Sequence, residues 1–357
     1  MAKTTKKTTA KAETAPAKTE TAPAAKEGGI QTNRIVLFSA IGLIIIAMAS
    51  LFFIYGRVRV IDNSMDSTVA KGETLWFNKL SSPDYNDIVA FRHPETDSIV
   101  ASAKEKNYYK MCRMYGGSWV SKAEVVKQDM HKRPIYLSRC VAVPGDVVEI
   151  RDNKLIVNKK ESPYGKPAKQ MYYVVTDGLI NPSILDTLGL SKSDIAGEAD
   201  YYEDFLNVYR QRTKTYTAIK IFTLSPKAAK KLQQISVIKK IEPVVLPKDH
   251  FEPTVFPFIK EDHWNESNLG PLLVPQKDKI IKFANVRVAE YYRRVIENYE
   301  GNTMQIKGGK VFINGKEAKS YRFKQDYYFV IGDNRATKND SRFFGFLPED
   351  HVVGIVM

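Results

Sequence analysis

Residues Ile35–Tyr55 read IVLFSAIGLIIIAMASLFFIY, 21 in a row without a charge. As a helix such a run is about 31 Å long, enough to cross the hydrocarbon core of a bilayer. It carries no polar stripe, which sets it apart from the amphipathic helices of a soluble core. The run therefore predicts a membrane-spanning helix. A cleavable leader would have a shorter apolar region followed by small residues. This run ends on the bulky Phe52, Phe53, Ile54 and Tyr55, which favours an uncleaved anchor.

The anchor changes the meaning of the charge. The chain of 357 residues has a formal net charge of +14, which taken alone suggests nucleic acid or an anionic membrane as partner. Residues 1–34 hold seven basic and three acidic residues and no aromatic one, so +4 of the total lies there. Such a tail, built from Ala, Lys, Thr, Pro and Glu, cannot bury enough apolar surface to offset its ordering entropy, and it is expected to be disordered. Its positive charge predicts a cytoplasmic N-terminus, with everything after Gly56 on the outer side of the cytoplasmic membrane. The lysine runs Lys227, Lys230, Lys231 and Lys239, Lys240 are then solvated or drawn to lipid headgroups, and nucleic acid drops out. Two cysteines, Cys112 and Cys140, cannot make a four-cysteine metal site, and a disulfide between them stays open. His93, His131, His250, His263 and His351 show no metal-ligand spacing, so no metal or cofactor is expected.

Beyond the anchor the chain reads mainly as strand. Short apolar runs such as GDVVEI, KLIVNKKE, KVFINGKE and DYYFVIGD are bounded by Gly, Asn and Asp. Lys154–Val157 ending at Asn158-Lys159, and Lys310–Ile313 ending at Asn314-Gly315, read as hairpin partners. The stretch Pro182–Gln234 differs, with helical spacing in Tyr201–Arg210 and in Ser225–Ile235. The expected organisation is a tail (1–34), an anchor (35–55), a β core in two parts (56–160 and 306–357) and an α/β insertion between them (161–305).

Four segments then follow in order. They are Asp62-Asn63-Ser64-Met65, Asp87-Ile88-Val89-Ala90-Phe91, Ser138-Arg139 leading to Pro144-Gly145-Asp146, and Gly332-Asp333-Asn334-Arg335 with Asp340-Ser341-Arg342. Their order resembles the boxes of the signal peptidase I family of membrane-anchored serine endopeptidases. The middle region is similar to an enlarged, Bacteroidetes-type form of that family at Trp264, Leu269-Gly270-Pro271 and Val274-Pro275. The resemblance implies a mainly β fold, cleavage of exported preproteins after small residues, and Ser64 as nucleophile. It implies supporting roles for Met65, Arg139, Gly332, Asp333, Asn334, Arg335, Asp340, Ser341 and Arg342. The implied partners are signal peptides, the phospholipid membrane and, for a non-catalytic relative, a second signal peptidase.

Ser138, Lys338, Asp62 and Ser67 depart from the family pattern. The lysine that acts as base in the family is Ser138 here, and the serine that orients that lysine is Lys338 here. If the two positions adjoin, the exchange predicts a relocated dyad of Ser64 with Lys338, because chemistry follows geometry rather than the strand that supplies a group. The opposing expectation is a non-catalytic paralogue that keeps the peptide-binding fold. Asp62 stands where the family has a small residue near the oxyanion, and a carboxylate there opposes developing negative charge. Ser67 replaces a proline, which alters loop stiffness more than chemistry. A self-cleaving repressor of the same Ser–Lys clan is disfavoured, since a membrane span stands where a DNA-binding domain would be.

Overall fold

The computed structural model describes residues 28–100, 107–115, 125–164, 167, 169–189, 195–196, 200–213 and 218–357. Most of the 1–34 tail lies outside these residues. Residues Gly28–Ile54 form one helix. Its stretch Val36–Ile54 has mean hydropathy 2.6 with none of it buried, so it is long and apolar enough to cross a membrane. Residues Met1–Phe52 and Phe53–Met357 are separate compact units.

The second unit is mainly β, as expected. Its largest sheet has seven strands in the order Tyr55–Arg59, Thr74–Asn78, Val352–Val356, Ile88–Arg92, Ile135–Ala142, Tyr327–Ile331 and Leu347–Pro348. Neighbours are antiparallel throughout. The Tyr327–Ile331 strand, sixth in that order, is buried along its whole length. Sheets covered on both faces read as continuous apolar runs, and YYFVI is one.

Tight turns set the register of the outer hairpins. Val147–Arg151 and Lys154–Val157 are joined by Asp152-Asn153, at φ 48° and 65°. Asn158-Lys159 and Asn314-Gly315, the two turns expected from sequence, have φ of 50° and 68°, and of 50° and 78°. Two consecutive positive φ values are the requirement of the primed turn, whose twist matches that of the strands.

Residues 161–305 behave as two regions. Gln170–Thr176 is central in a four-stranded sheet with Ile195–Ala196, Ala218–Leu224 and Ile238–Pro243. Its side chains alternate with period two. Tyr173 and Val175 pack with Leu206 and Tyr209 of the Asp200–Thr213 helix. Tyr172 and Val174 pack with Leu185, Ala228 and Leu232 of the Pro182–Thr187 and Pro226–Leu232 helices. Both helices begin on a proline, after a cap from Asn181 and Ser225. Further along, Val255, Phe256, Leu269, Leu272, Tyr292 and Ile296 share one core with Val141, Val148, Phe329 and Phe346. The Leu269–Leu273 strand pairs with Val147–Arg151, so this half of the middle region completes the β core.

Candidate active site

The loop after the first strand carries Ser64. Met65 anchors it, wholly buried against Val58, Val60, Val69, Phe77, Ala90 and Leu137. Helix-like turns follow, with the amides of Thr68 and Val69 donating to the Met65 carbonyl at 2.9 and 2.8 Å. Burying Met65 pulls its neighbour inward, and Ser64 is only 1% exposed. The Ser64 hydroxyl has two acceptors within reach, Asp62 Oδ1 at 2.7 Å and the Leu137 carbonyl at 2.9 Å. It has one proton to give. The Ser64 amide also donates to Asp62 Oδ1, at 3.2 Å. The second oxygen of Asp62 accepts from Asn339 Nδ2 at 2.9 Å. A chain of contacts thus runs from Asn339 through Asp62 to Ser64.

The last box wraps the same loop. The Asn334 amide donates to the Ser64 carbonyl at 2.9 Å, and its side chain donates to the Asn63 carbonyl at 3.1 Å. Gly332 allows this approach, since a Cβ there would stand 2.7 Å from the Ser64 carbonyl oxygen. Asp333 takes a two-pronged hydrogen bond from Arg139, at 2.8 and 2.5 Å, and another from Thr68 Oγ1 at 2.5 Å. Arg139 also donates to the Asn86 carbonyl at 2.8 Å, just before the Ile88–Arg92 strand. The four boxes that stand far apart in sequence therefore meet.

Behind them Asp340 accepts from the Gly332 amide at 3.1 Å and caps the short helix Ser341–Phe344. Arg342 binds Asp340 at 3.0 and 2.8 Å and the carbonyls of Arg335 and Thr337 at 3.1 Å each. Ser341 Oγ accepts from the Val330 amide at 2.9 Å, on the Tyr327–Ile331 strand. Burial, with Arg342 nearby, brings the Arg335 guanidinium down to about 10.

Ser138 and Lys338, the exchanged pair, have different surroundings. Ser138 is wholly buried on the Ile135–Ala142 strand, and its hydroxyl has no hydrogen-bond partner. The Lys338 amine lies 3.2 Å from Glu266 Oε1 and 5.5 Å from the centre of the Phe343 ring. The other Glu266 oxygen is 4.0 Å from Arg342. Burial pushes the Glu266 carboxyl up to about 8, with Arg342 opposing and Glu252 and Asp340 adding to the rise. Desolvation outweighs the arginine because a fully enclosed carboxylate loses nearly all of its hydration.

Sequence reasoning missed three contributors. Asn339 is an ordinary polar residue beside a more conspicuous lysine. Glu266 and Lys169 belong to the middle region and sit in no motif. Lys169 lies parallel to the last box, donating from its amide to the Asp333 carbonyl at 3.2 Å and accepting from the Arg335 amide at 2.8 Å. Its amine binds Asp66 at 2.7 Å. Cys112 and Cys140 are both free thiols, and Cys140 is buried in a strand, where burial raises its thiol pKa. No group of His, Cys, Asp and Glu suited to a metal occurs among the described residues.

A serine hydroxyl is thus held on a β scaffold with a carboxylate and an amide donor at hand. The chain belongs to the signal peptidase, peptidase S26 family, whose pattern matches residues 33–175 and 319–357. Among similar proteins, Signal peptidase I of Leptolyngbya laminosa is 29% identical over 105 residues, covering 26% of this chain and 52% of that protein. Probable signal peptidase I-1 of Synechocystis sp. is 24% identical over 132 residues, covering 32% of this chain and 67% of that protein. Probable signal peptidase I-2 of the same organism is 28% identical over 98 residues, covering 24% of this chain and 44% of that protein. The chain thus spans about half the length of the relatives it matches.

Proposed function

We propose that this protein is a single-pass serine endopeptidase that removes signal peptides from exported preproteins, with Ser64 as nucleophile and Asp62 as the base. The observation that carries the reading is the 2.7 Å hydrogen bond from Ser64 Oγ to Asp62, with Asp62 itself held by Asn339 at 2.9 Å. Nucleophile, base and orienting group in sequence is the general pattern of an activated hydroxyl.

The chemistry balances in charge and protons. As Ser64 Oγ bonds to the scissile carbonyl carbon, its proton passes to Asp62 Oδ1. Negative charge leaves the carboxylate as it appears on the carbonyl oxygen. At rest the Ser64 amide points at a carboxylate, which opposes an oxyanion. Once Asp62 is neutral that opposition is gone. The protonated Asp62 gives its proton to the leaving amine, and a water activated by Asp62 then hydrolyses the acyl-enzyme. A carboxylate is a weaker base than a neutral amine, so slow turnover is expected. Lys338, the relocated base suggested by the sequence, would first have to leave Glu266.

Family membership supports preprotein substrates, and the apolar helix supports an anchor. The basic tail supports a cytoplasmic N-terminus, with the second unit at the outer face of the cytoplasmic membrane. Ser138, a buried hydroxyl where the family places its amine, favours a second reading. In it the protein is non-catalytic and binds preproteins beside an active signal peptidase.

Full-length protein in liposomes, given a radiolabelled preprotein, separates these readings. The expected result is a loss of cleavage of ~100-fold or more in Ser64→Ala and in Asp62→Asn, with Lys338→Ala falling by only ~10-fold or less. Loss in Lys338→Ala with survival in Asp62→Asn transfers the base to Lys338. Preprotein binding without cleavage by the wild type leaves the accessory reading standing.

A further inference from the structure

The turn Asn265–Asn268 is a costly construction. Asn265, Glu266, Ser267 and Asn268 are all polar and all buried, at 0, 8, 2 and 9% exposure. Buried polar groups are tolerated only when their hydrogen bonds are made, and here they are made within the turn and to its supports. Asn265 Oδ1 accepts from the amides of Ser267 and Asn268 at 3.0 Å each, while its Nδ2 donates to the Pro247 and His250 carbonyls at 2.8 Å each. Asn268 donates to the Leu246 carbonyl at 2.9 Å and accepts from the Asp152 amide at 3.1 Å. All of this holds one side chain, Glu266, at the last box.

Glu266 reaches Lys338 at 3.2 Å and Arg342 at 4.0 Å. Lys338 is the neighbour of Asn339, which holds Asp62. Arg342 holds the carbonyls of Arg335 and Thr337, so Glu266 grips the 335–339 segment from both flanks. We infer that Glu266 is a positioning residue, through which the middle region sets the Asn339–Asp62–Ser64 relay. The inference rests on the reading that Asp62 activates Ser64, and it assigns the 244–268 region a part in the site that the boxes alone do not supply.

Among the described residues, the charged groups about Glu266 include Lys338, Arg342, Asp340 and Glu252, with Arg335 lining the same cavity. When the carboxyl ionises it pulls on the two cations, and when protonated it no longer does. The state of the 335–339 segment therefore follows the ionisation of Glu266.

The test uses the full chain, comparing wild type with Glu266→Gln and Glu266→Asp. Expected in Glu266→Gln are a fall in kcat of ~10-fold, KM changed less than ~2-fold, and loss of an ionisation near the top of the neutral range from the pH–rate profile. Glu266→Asp restores part of the kcat and keeps the ionisation. Amide hydrogen exchange at Thr337–Asn339 should quicken in Glu266→Gln. An unchanged kcat and an unchanged pH profile overturn the inference. If the wild type cleaves no preprotein, the reading of Asp62 as base fails, and exchange alone decides the rest. Unaltered exchange at Thr337–Asn339 then overturns the positioning role too.

Discussion

Single residues decide whether this site can work, and they differ in how visible they are in the sequence. Ser64, Arg139, Asp333 and Asn334 stand out because they lie in short boxes whose spacing is tied to backbone geometry. Asp62 is visible as a departure, but the direction of its side chain is not. Its position suggests opposition to an oxyanion, and it binds the Ser64 hydroxyl as well as the Ser64 amide. Asn339 gave no signal at all, because one amide in a polar loop is indistinguishable from its neighbours until the loop folds back on Asp62. Ser138 offers a direct experiment at this scale. It lies beside Leu137, whose carbonyl is within hydrogen-bond reach of Ser64 Oγ, and its own hydroxyl is without a partner. Ser138→Lys should place an amine by Ser64 and, if Ser64 is the nucleophile, raise cleavage above wild type by ~10-fold or more, since a desolvated amine is the better base. In that background Asp62→Asn should be tolerated. A folded Ser138→Lys protein with no gain would show that an amine from this strand does not reach Ser64.

The elements were more legible than the side chains. Alternation and turn residues identified the hairpins, and Asn158-Lys159 and Asn314-Gly315 adopt the positive φ values their strands require. The helices Asp200–Thr213 and Pro226–Leu232 lie where helical spacing placed them, within a few residues at their ends. What spacing did not reveal is that Tyr172 and Tyr173 belong to opposite faces of one strand, each covered by different helices. Two covered faces erase the polar alternation that would have marked the sheet's orientation. Turn chemistry can be tested on Gly315, at φ 78° with open space around it. Gly315→Ala should cost about 1 kcal/mol from left-handed strain alone. It should lower the urea midpoint without changing the slope, and no loss would mean that the turn relaxes into another type.

At the scale of the whole molecule, distant segments set each other's ionisation. Glu266 meets Lys338 and Arg342, and burial raises its carboxyl from 4.5 to about 8. A group whose folded pKa is raised holds more protons folded than unfolded, so stability falls as pH rises between those two values. The slope approaches about 1.4 kcal/mol per pH unit inside that window. Glu266→Gln removes it, so the melting temperature of the variant should gain on wild type from pH 5 to pH 8 and run parallel above that. A constant offset across the range would show that Glu266 is ionised throughout. The long apolar helix, the β character, the order of the boxes and the serine at their head are legible in the residues alone, because hydropathy, turn propensity and motif spacing are local properties of a chain. Which carboxylate touches Ser64, which one meets Lys338, and the joining of residues 255–296 to the β core emerge only on folding. Those outcomes depend on which surfaces come together when water is excluded, and no stretch of sequence encodes them alone.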